Sequence, residues 1–460
     1  MNWSWASVDR WLMGEAWIGS HVAEHIRRLC DEIGVRCAGS DGERKAAEYI
    51  TDQFKDLSLA SPEIEAFELK TVKSQVALLQ TIEKDSWSAD VRPCLFCPAI
   101  DVEAPLVDVG YGMRHELDLL EDRLNGSVVL LQSEYEPFSE PRHLAIRLRD
   151  LTQNGVVAAI TASPHKGRRL QHVSAGDWRD GDPRAIPLPL IQTTFEDAQR
   201  LRRRAVDGVR IAVRVESEFL TATSYNVVAD LPGSEIENES LVLGAHHDTT
   251  PDAIGANDNA AGVAVLLDTA RLLTELAATM DVRPGRTIRF VTFGAEEQGL
   301  QGSTAFVDQH YGPEALPKLM VNLDELATGK MKGVVLQFPE LRDLVQQQLD
   351  SMNDDLRCHV LSQLDTSGDM FPFARRGIPS SFLWRWRFVG RHPDTAFGHS
   401  NSDTPDKIRL RELKEYSGLL ARLLLRLSHI PASAWSKNEL DTAEIAQRIE
   451  LERGAVFRTM

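Results

Sequence analysis

From Thr223 onward, apolar strand-like runs alternate with helix-like segments, and this alternation restricts the fold more than any other feature of the chain. NVVADLPG and SLVLGAHHD read as strands. NAAGVAVLLDTARLLTELA reads as a long helix with few breakers, and TIRFVTFGAE and KLMVNLDEL as further strands. EYSGLLARLLLRLSHI is an amphipathic helix. In the preceding SDTPDK, Asp403 or Thr404 can cap that helix and Pro405 can sit in its first turn. Apolar strands between helices need cover on both faces. The pattern therefore predicts an α/β domain with a mixed, largely parallel sheet flanked by helices.

Upstream, the periodicity differs. Residues 20–54 read as two helices, HVAEHIRRLCDEIG and GERKAAEYITDQFKDL, around the break VRCAGSDG. From residue 64 to about 221 short strands predominate, with SVVLLQSE and VVAAITAS as buried examples. LAIRLRDLTQNG reads as a helix ending at Gly155, and IPLPLIQTT followed by FEDAQRLRRRA as strand then helix.

A length of 460 residues suggests two domains, or one with a large insertion. A formal net charge of −17 repels nucleic acid and anionic membrane surfaces, so neither is an expected partner. The five cysteines are too sparse for a disulfide framework. Cys94 and Cys97 form a CxxC with no second pair or histidine nearby to complete a zinc site. On a strand their thiols would point to opposite faces. The start of the chain, broken by Asp9, Arg10 and Glu15, does not read as a signal peptide. No run approaches the ~18 apolar residues a membrane span needs. A cytoplasmic location is the default expectation.

Five turns carry the chemistry, most of them at the ends of the apolar strands, where ligand sites form in open α/β sheets. They are GAHHD, GANDNAAG, GAEEQG, NLDE and GHSNSDTPDK. Each alone has an ordinary reading: a strand-end aspartate caps a helix, a lone histidine is structural, adjacent glutamates are a solvated pair. Together they are several His- and carboxylate-bearing turns, most of them following apolar strands, in one α/β region.

The ordered set resembles the M28 metallopeptidase family, whose members carry a co-catalytic pair of zinc ions. The resemblance implies His246 as a metal ligand, with His247 in a variable position and Asp248 orienting the His246 imidazole. It implies Asp258 as the bridge between two metals, Glu296 as general base, and Glu297, Asp324 and His399 as further ligands. His246 and Asp324 would serve one metal, Glu297 and His399 the other. It also implies a cis peptide after Asp258. Imidazole and carboxylate suit zinc, with cobalt or manganese as substitutes. Two ions about 3.5–4 Å apart can activate a bridging water, whose proton Glu296 would pass to the leaving amine. The family reading is an aminopeptidase that holds the free α-amine of a peptide substrate near the metals.

The resemblance extends to organisation. Residues 1–69 form the N-terminal helical part of the peptidase domain and residues 221–460 the metallopeptidase domain. Residues 70–220, with LVDVGYGMRHELDLLEDRLNGSVVLLQ, are similar to a protease-associated domain, of small α+β or β type. In FLWRWRFVGRH, Arg385 and Arg387 are candidates for holding a substrate carboxylate, against ordinary strand residues. A carboxylate contact there would make the enzyme a dipeptidase or carboxypeptidase-type hydrolase. Met370 stands where the family often has a histidine, which leaves the role of Asp369 open. A glutaminyl cyclase or a non-catalytic binding module of the same fold would lack part of this ligand set. Oligomeric state is not legible in the sequence.

Overall fold

The computed structural model describes residues 3–133, 136, 139, 142–312, 316–326, 329–361, 364–385, 397–435 and 442–451. The strand Ile236–His246 lies between two parallel neighbours, Arg286–Phe293 and Met320–Asn322. Beyond Met320–Asn322 the sheet continues through Ser380–Arg385, Met331–Leu336 and Arg357–Val360. Only the Met331–Leu336 contact with Ser380–Arg385 is antiparallel on that side. The mixed, largely parallel sheet expected from the apolar runs is therefore present.

The helix Ala261–Met280 shows why these strands are apolar throughout. Fourteen of its 20 residues are buried, between the sheet and the helices Trp5–Ile18 and Leu410–Ser428. Each fully buried Leu or Val contributes about 1.5–3 kcal/mol relative to exposure. Its one buried ion pair, Arg271 to Asp268 at 2.9 Å, also receives the His21 N–H on Asp268 Oδ1, so the charge is satisfied. The opening segment holds a helix, Trp5–Ile18, that the pattern reading does not assign. Val8, Leu12 and Ala16, four apart, form its buried stripe.

Two long antiparallel strands, Ala60–Thr81 and Arg210–Leu231, join this layer to a second core. Arg210–Leu231 pairs with Arg286–Phe293 at one end and with Ile100–Asp108 at the other. The second core is built from residues between Leu79 and Val215, around the parallel strands Val128–Gln132, Ala158–Ala162 and Leu190–Thr193. Cys94 and Cys97 belong to it, and here the strand expectation fails. Cys97 N–H donates to Cys94 O at 3.0 Å and Phe96 adopts φ 60°, so the segment is a tight turn. Both thiols are buried in the same core. Among the described residues no helix is long and apolar enough to cross a membrane.

Candidate metal centre

Three adjacent parallel strands end side by side. His246 closes Ile236–His246, with Phe293 its register partner on one side, while Asn322 pairs with Gly244 on the other. Glu296 and Glu297 follow Phe293 by a short turn, and Asp324 follows Asn322 by two residues. Parallel strands thus bring GAHHD, GAEEQG and NLDE to one carboxyl edge. His247 alternates away from that edge. It is fully buried, with Nδ1 3.1 Å from Thr292 Oγ1, and burial beside Arg36 lowers its pKa to about 3.

Asp258 reaches the edge from the turn before Ala261–Met280. Gly255 opens this turn at φ 62°, where a Cβ would sit 2.3 Å from Asp258 O, so glycine is required. The Asp258-Asn259 peptide is cis, as the resemblance implied. Asp403 fixes the turn: its Oδ1 accepts Asn257 N–H at 2.8 Å and its Oδ2 accepts Asp258 N–H at 3.0 Å. Asp403 is thus no cap for the helix Leu410–Ser428, which begins after a separate turn, Pro405–Lys407.

The result is two triads sharing one carboxylate. Asp258 Oδ1 lies 3.2 Å from His246 Nε2, and Asp324 Oδ1 lies 3.4 Å from the same nitrogen. Asp258 Oδ2 lies 3.3 Å from His399 Nε2, and Glu297 Oε2 lies 3.0 Å from that nitrogen. Within each triad one donor atom per residue falls within 4.8 Å of the others, close enough to hold a cation. Behind His246, Asp248 Oδ1 stands 3.4 Å from Nδ1 and accepts the Glu296 N–H at 3.1 Å. Asp248 therefore touches both the imidazole and the turn that carries the two glutamates.

The electrostatics favour cations at two places. Burial alone would lower both imidazoles, yet the surrounding carboxylates, Glu296 foremost for His246 and Glu297 for His399, push both well above the ordinary value. Asp258 goes the other way: burial opposes its ionisation, but His246 and His399 outweigh that and hold its carboxyl below the usual range. Burial raises Glu297 to about 7 against the pull of His399. Burial also raises Glu296, with Asp369, Glu297 and Asp324 adding and His246 opposing. The cluster thus demands positive charge on either side of Asp258. Protons on two imidazoles can supply it, and so can two metal ions. Imidazole and carboxylate donors fit zinc. Among the described residues no lysine or arginine forms an ion pair with Asp258 or Glu297.

Sequence reasoning missed Arg36, Glu43 and the partner role of Asp403. Arg36 is fully buried and donates to the carbonyls of His247, Leu29, Gly34, Ile254 and Gly255. It ties the His246 strand end to the Asp258 turn. Of the two substrate candidates, Arg387 lies outside the described residues. Arg385 closes the strand Ser380–Arg385 opposite Met331, with its backbone alone described.

A strand-edge cluster of two histidines and three carboxylates, arranged as two triads about one aspartate, defines an α/β protein with a candidate metal centre. Residues 226–424, which contain every member of that cluster, match the family model described as Peptidase family M28. Over those residues the chain carries a peptidase family M28 domain. It is similar to Aminopeptidase YwaD of Bacillus subtilis, 26% identical over 376 residues covering 79% of this chain and 75% of that protein. It is also similar to Carboxypeptidase Q of Bos taurus, 23% identical over 402 residues covering 83% of this chain and 79% of that protein. The fold matches that of a zinc aminopeptidase from Bacillus subtilis with a TM-score of 0.68, at 20% identity, over 91% of this chain and 97% of that one.

Proposed function

We propose that this chain is a zinc-dependent exopeptidase, most simply an aminopeptidase that removes the N-terminal residue of a peptide. The observation that carries the reading is the split of Asp258, with one carboxylate oxygen facing His246 and the other facing His399. His246, Asp324 and Asp258 would hold one zinc ion, and Glu297, His399 and Asp258 a second. Zinc bound there would supply an acidified water and polarise the scissile carbonyl.

The chain's own residues would do the rest. Asp248 holds the His246 ring and the Glu296 backbone in place. Glu296 takes a proton from the attacking water as its oxygen bonds to the carbonyl carbon. It returns that proton to the amide nitrogen as the C–N bond breaks, so the base is regenerated. Burial raises its pKa, which strengthens it as a proton acceptor. The surplus of carboxylates suits a substrate α-ammonium. The likeness to both an aminopeptidase and a carboxypeptidase supports the peptidase class and leaves a second reading, hydrolysis of free dipeptides or C-terminal residues.

The test is zinc content per chain together with cleavage of amino-acid anilides, free dipeptides and N-acetylated controls, with and without chelator. About two zinc ions and chelator-sensitive cleavage confined to free-amine substrates are expected. Activity on free dipeptides alone moves the assignment to the second reading. Absence of zinc and of turnover removes both.

A further inference from the structure

Like Asp258, His399 is not positioned by a strand end. It sits in a loop, half-exposed, with its backbone at φ 58°. A histidine occupies this left-handed region only where its surroundings enforce it. The enforcing contacts come from the second core. His172 N–H donates to His399 O at 2.8 Å, and His399 Nδ1 lies 3.2 Å from His172 O. Gln171 Nε2 donates to Gly398 O at 2.9 Å. Two residues of one segment thus hold the backbone of Gly398 and His399 and the far side of the His399 ring.

That segment is itself anchored. Gln171 N–H donates to Gln192 Oε1 at 2.6 Å, and Gln192 is a buried residue of the strand Leu190–Thr193. On the other side, Leu95 N–H donates to Val173 O at 2.9 Å. Leu95 lies in the turn between Cys94 and Cys97, whose side chains are buried in the second core. With Nδ1 facing a backbone carbonyl, the ring is held as the tautomer that protonates Nδ1. Nε2 is then the nitrogen turned to Asp258 and Glu297, from which a cation bound there would displace the second proton.

We infer that Gln171 is a positioning residue for cation binding: through Gly398 it seats His399, so residues 82–209 complete the triad of Asp258, Glu297 and His399 while contributing no ligand to it. The inference rests on the two-metal reading given above. It concerns that triad alone, because His246 and Asp324 follow strand ends and Asp258 is held by Asp403, so none of the three is seated by Gln171.

Calorimetric titration of zinc into chelator-treated protein tests it, with Gln171→Met and Gln171→Glu as variants. Both keep the side-chain length and lose the donated hydrogen bond. His399→Ala identifies which class of binding site belongs to the triad. Both Gln171 variants are expected to weaken that class about 10- to 100-fold, the range for residues that orient metal ligands, and to leave the other unchanged. The metal-free proteins should melt at the wild-type temperature. Wild-type affinity for both ions in either variant overturns the inference. So does equal weakening of both classes, or an equal loss of melting temperature with and without zinc, because the bond would then serve general stability. A wild-type chain that takes up a single zinc ion defeats the two-metal reading itself.

Discussion

Asp403 Oδ2 accepts the backbone N–H of Asp258 at 3.0 Å, from a position 145 residues further along the chain. Its other oxygen takes the neighbouring N–H of Asn257. Asp403→Ala would leave two buried N–H groups unpaired and release the turn that presents Asp258. A loss of roughly 1–3 kcal/mol in folding stability is expected, part of the gross cost being offset because Asp403 is itself a buried carboxyl. Zinc affinity should fall at both places, since Asp258 serves both. Urea unfolding and zinc content after dialysis measure the two effects. Full zinc retention in a folded variant would show that Asp258 does not depend on this bond.

Glu296 and Glu297 are adjacent, yet they should separate cleanly by substitution. Glu296→Gln removes the proton acceptor while leaving both triads complete. Turnover should drop about 10²- to 10⁴-fold with zinc content unchanged. Glu297→Gln removes a donor from the triad with His399 and should lower zinc content itself. Steady-state rates with matched metal analysis decide the matter. Loss of zinc in Glu296→Gln would make Glu296 a ligand and leave the base unassigned.

The proposed ligands were legible because each follows a local signal: an apolar strand, then a short turn bearing His, Asp or Glu. Parallel pairing then brings His246, Glu297 and Asp324 to one edge, a consequence of topology that the strand–helix alternation already implies. What stayed hidden depends on distant partners. Asp403 looks like a helix cap in SDTPDK, and only the fold places it against Asn257 and Asp258. Arg36 lies in VRCAGSDG, which reads as a loop, and three of its five acceptors are more than 200 residues away. That Cys94 and Cys97 share one core was not legible either, because it depends on the turn at Phe96.

Arg36 makes a prediction of its own. Its guanidinium is the hub for five backbone carbonyls in a site with no room for water-exposed ends. Arg36→Met keeps much of the volume and removes every donor. At about 1 kcal/mol or more per carbonyl left unpaired, a destabilisation of roughly 3–5 kcal/mol is expected. Arg36→Lys should recover only part of it, because an ammonium offers three donors where the guanidinium offers five in a fixed fork. Denaturant midpoints of the metal-free proteins rank the three. A Lys variant as stable as the wild type would mean that charge, and not the fork, is what the site needs.

Metal uptake should release protons. In the zinc-free protein His246 and His399 have raised pKa values, so near neutrality their imidazoles carry protons that a cation must displace. Zinc affinity is therefore expected to rise with pH through the range where those imidazolium groups deprotonate, and to fall on acidification. Calorimetry in buffers of different ionisation heat counts the protons released per zinc ion. A count near zero at neutral pH would contradict the charge balance inferred for the cluster.

Glu43 should make folding stability depend on pH with a defined sign. It is fully buried, with Oε2 accepting the Gly39 N–H at 2.6 Å and Oε1 accepting from the Ser224 hydroxyl. Burial raises its pKa from 4.5 to about 8, against the lowering by Ser224. Between those values the folded chain keeps a proton that the unfolded chain releases. Stability from this group is then complete below pH 4.5 and is lost as pH rises toward 8. The slope is at most about 1.4 kcal/mol per pH unit. Glu43→Gln stays neutral throughout. Its oxygen can accept from Gly39 and its amide can donate to Ser224, so those two bonds survive, and the backbone bond from Tyr225 is the one at risk. Urea unfolding of zinc-free wild type and variant at pH 5, 6.5 and 8 should show the two curves diverging, with the glutamine variant the more stable at the alkaline end. Parallel curves would mean that Glu43 ionises in the folded chain as readily as in the unfolded one, and that the charge near Asp248 is tolerated.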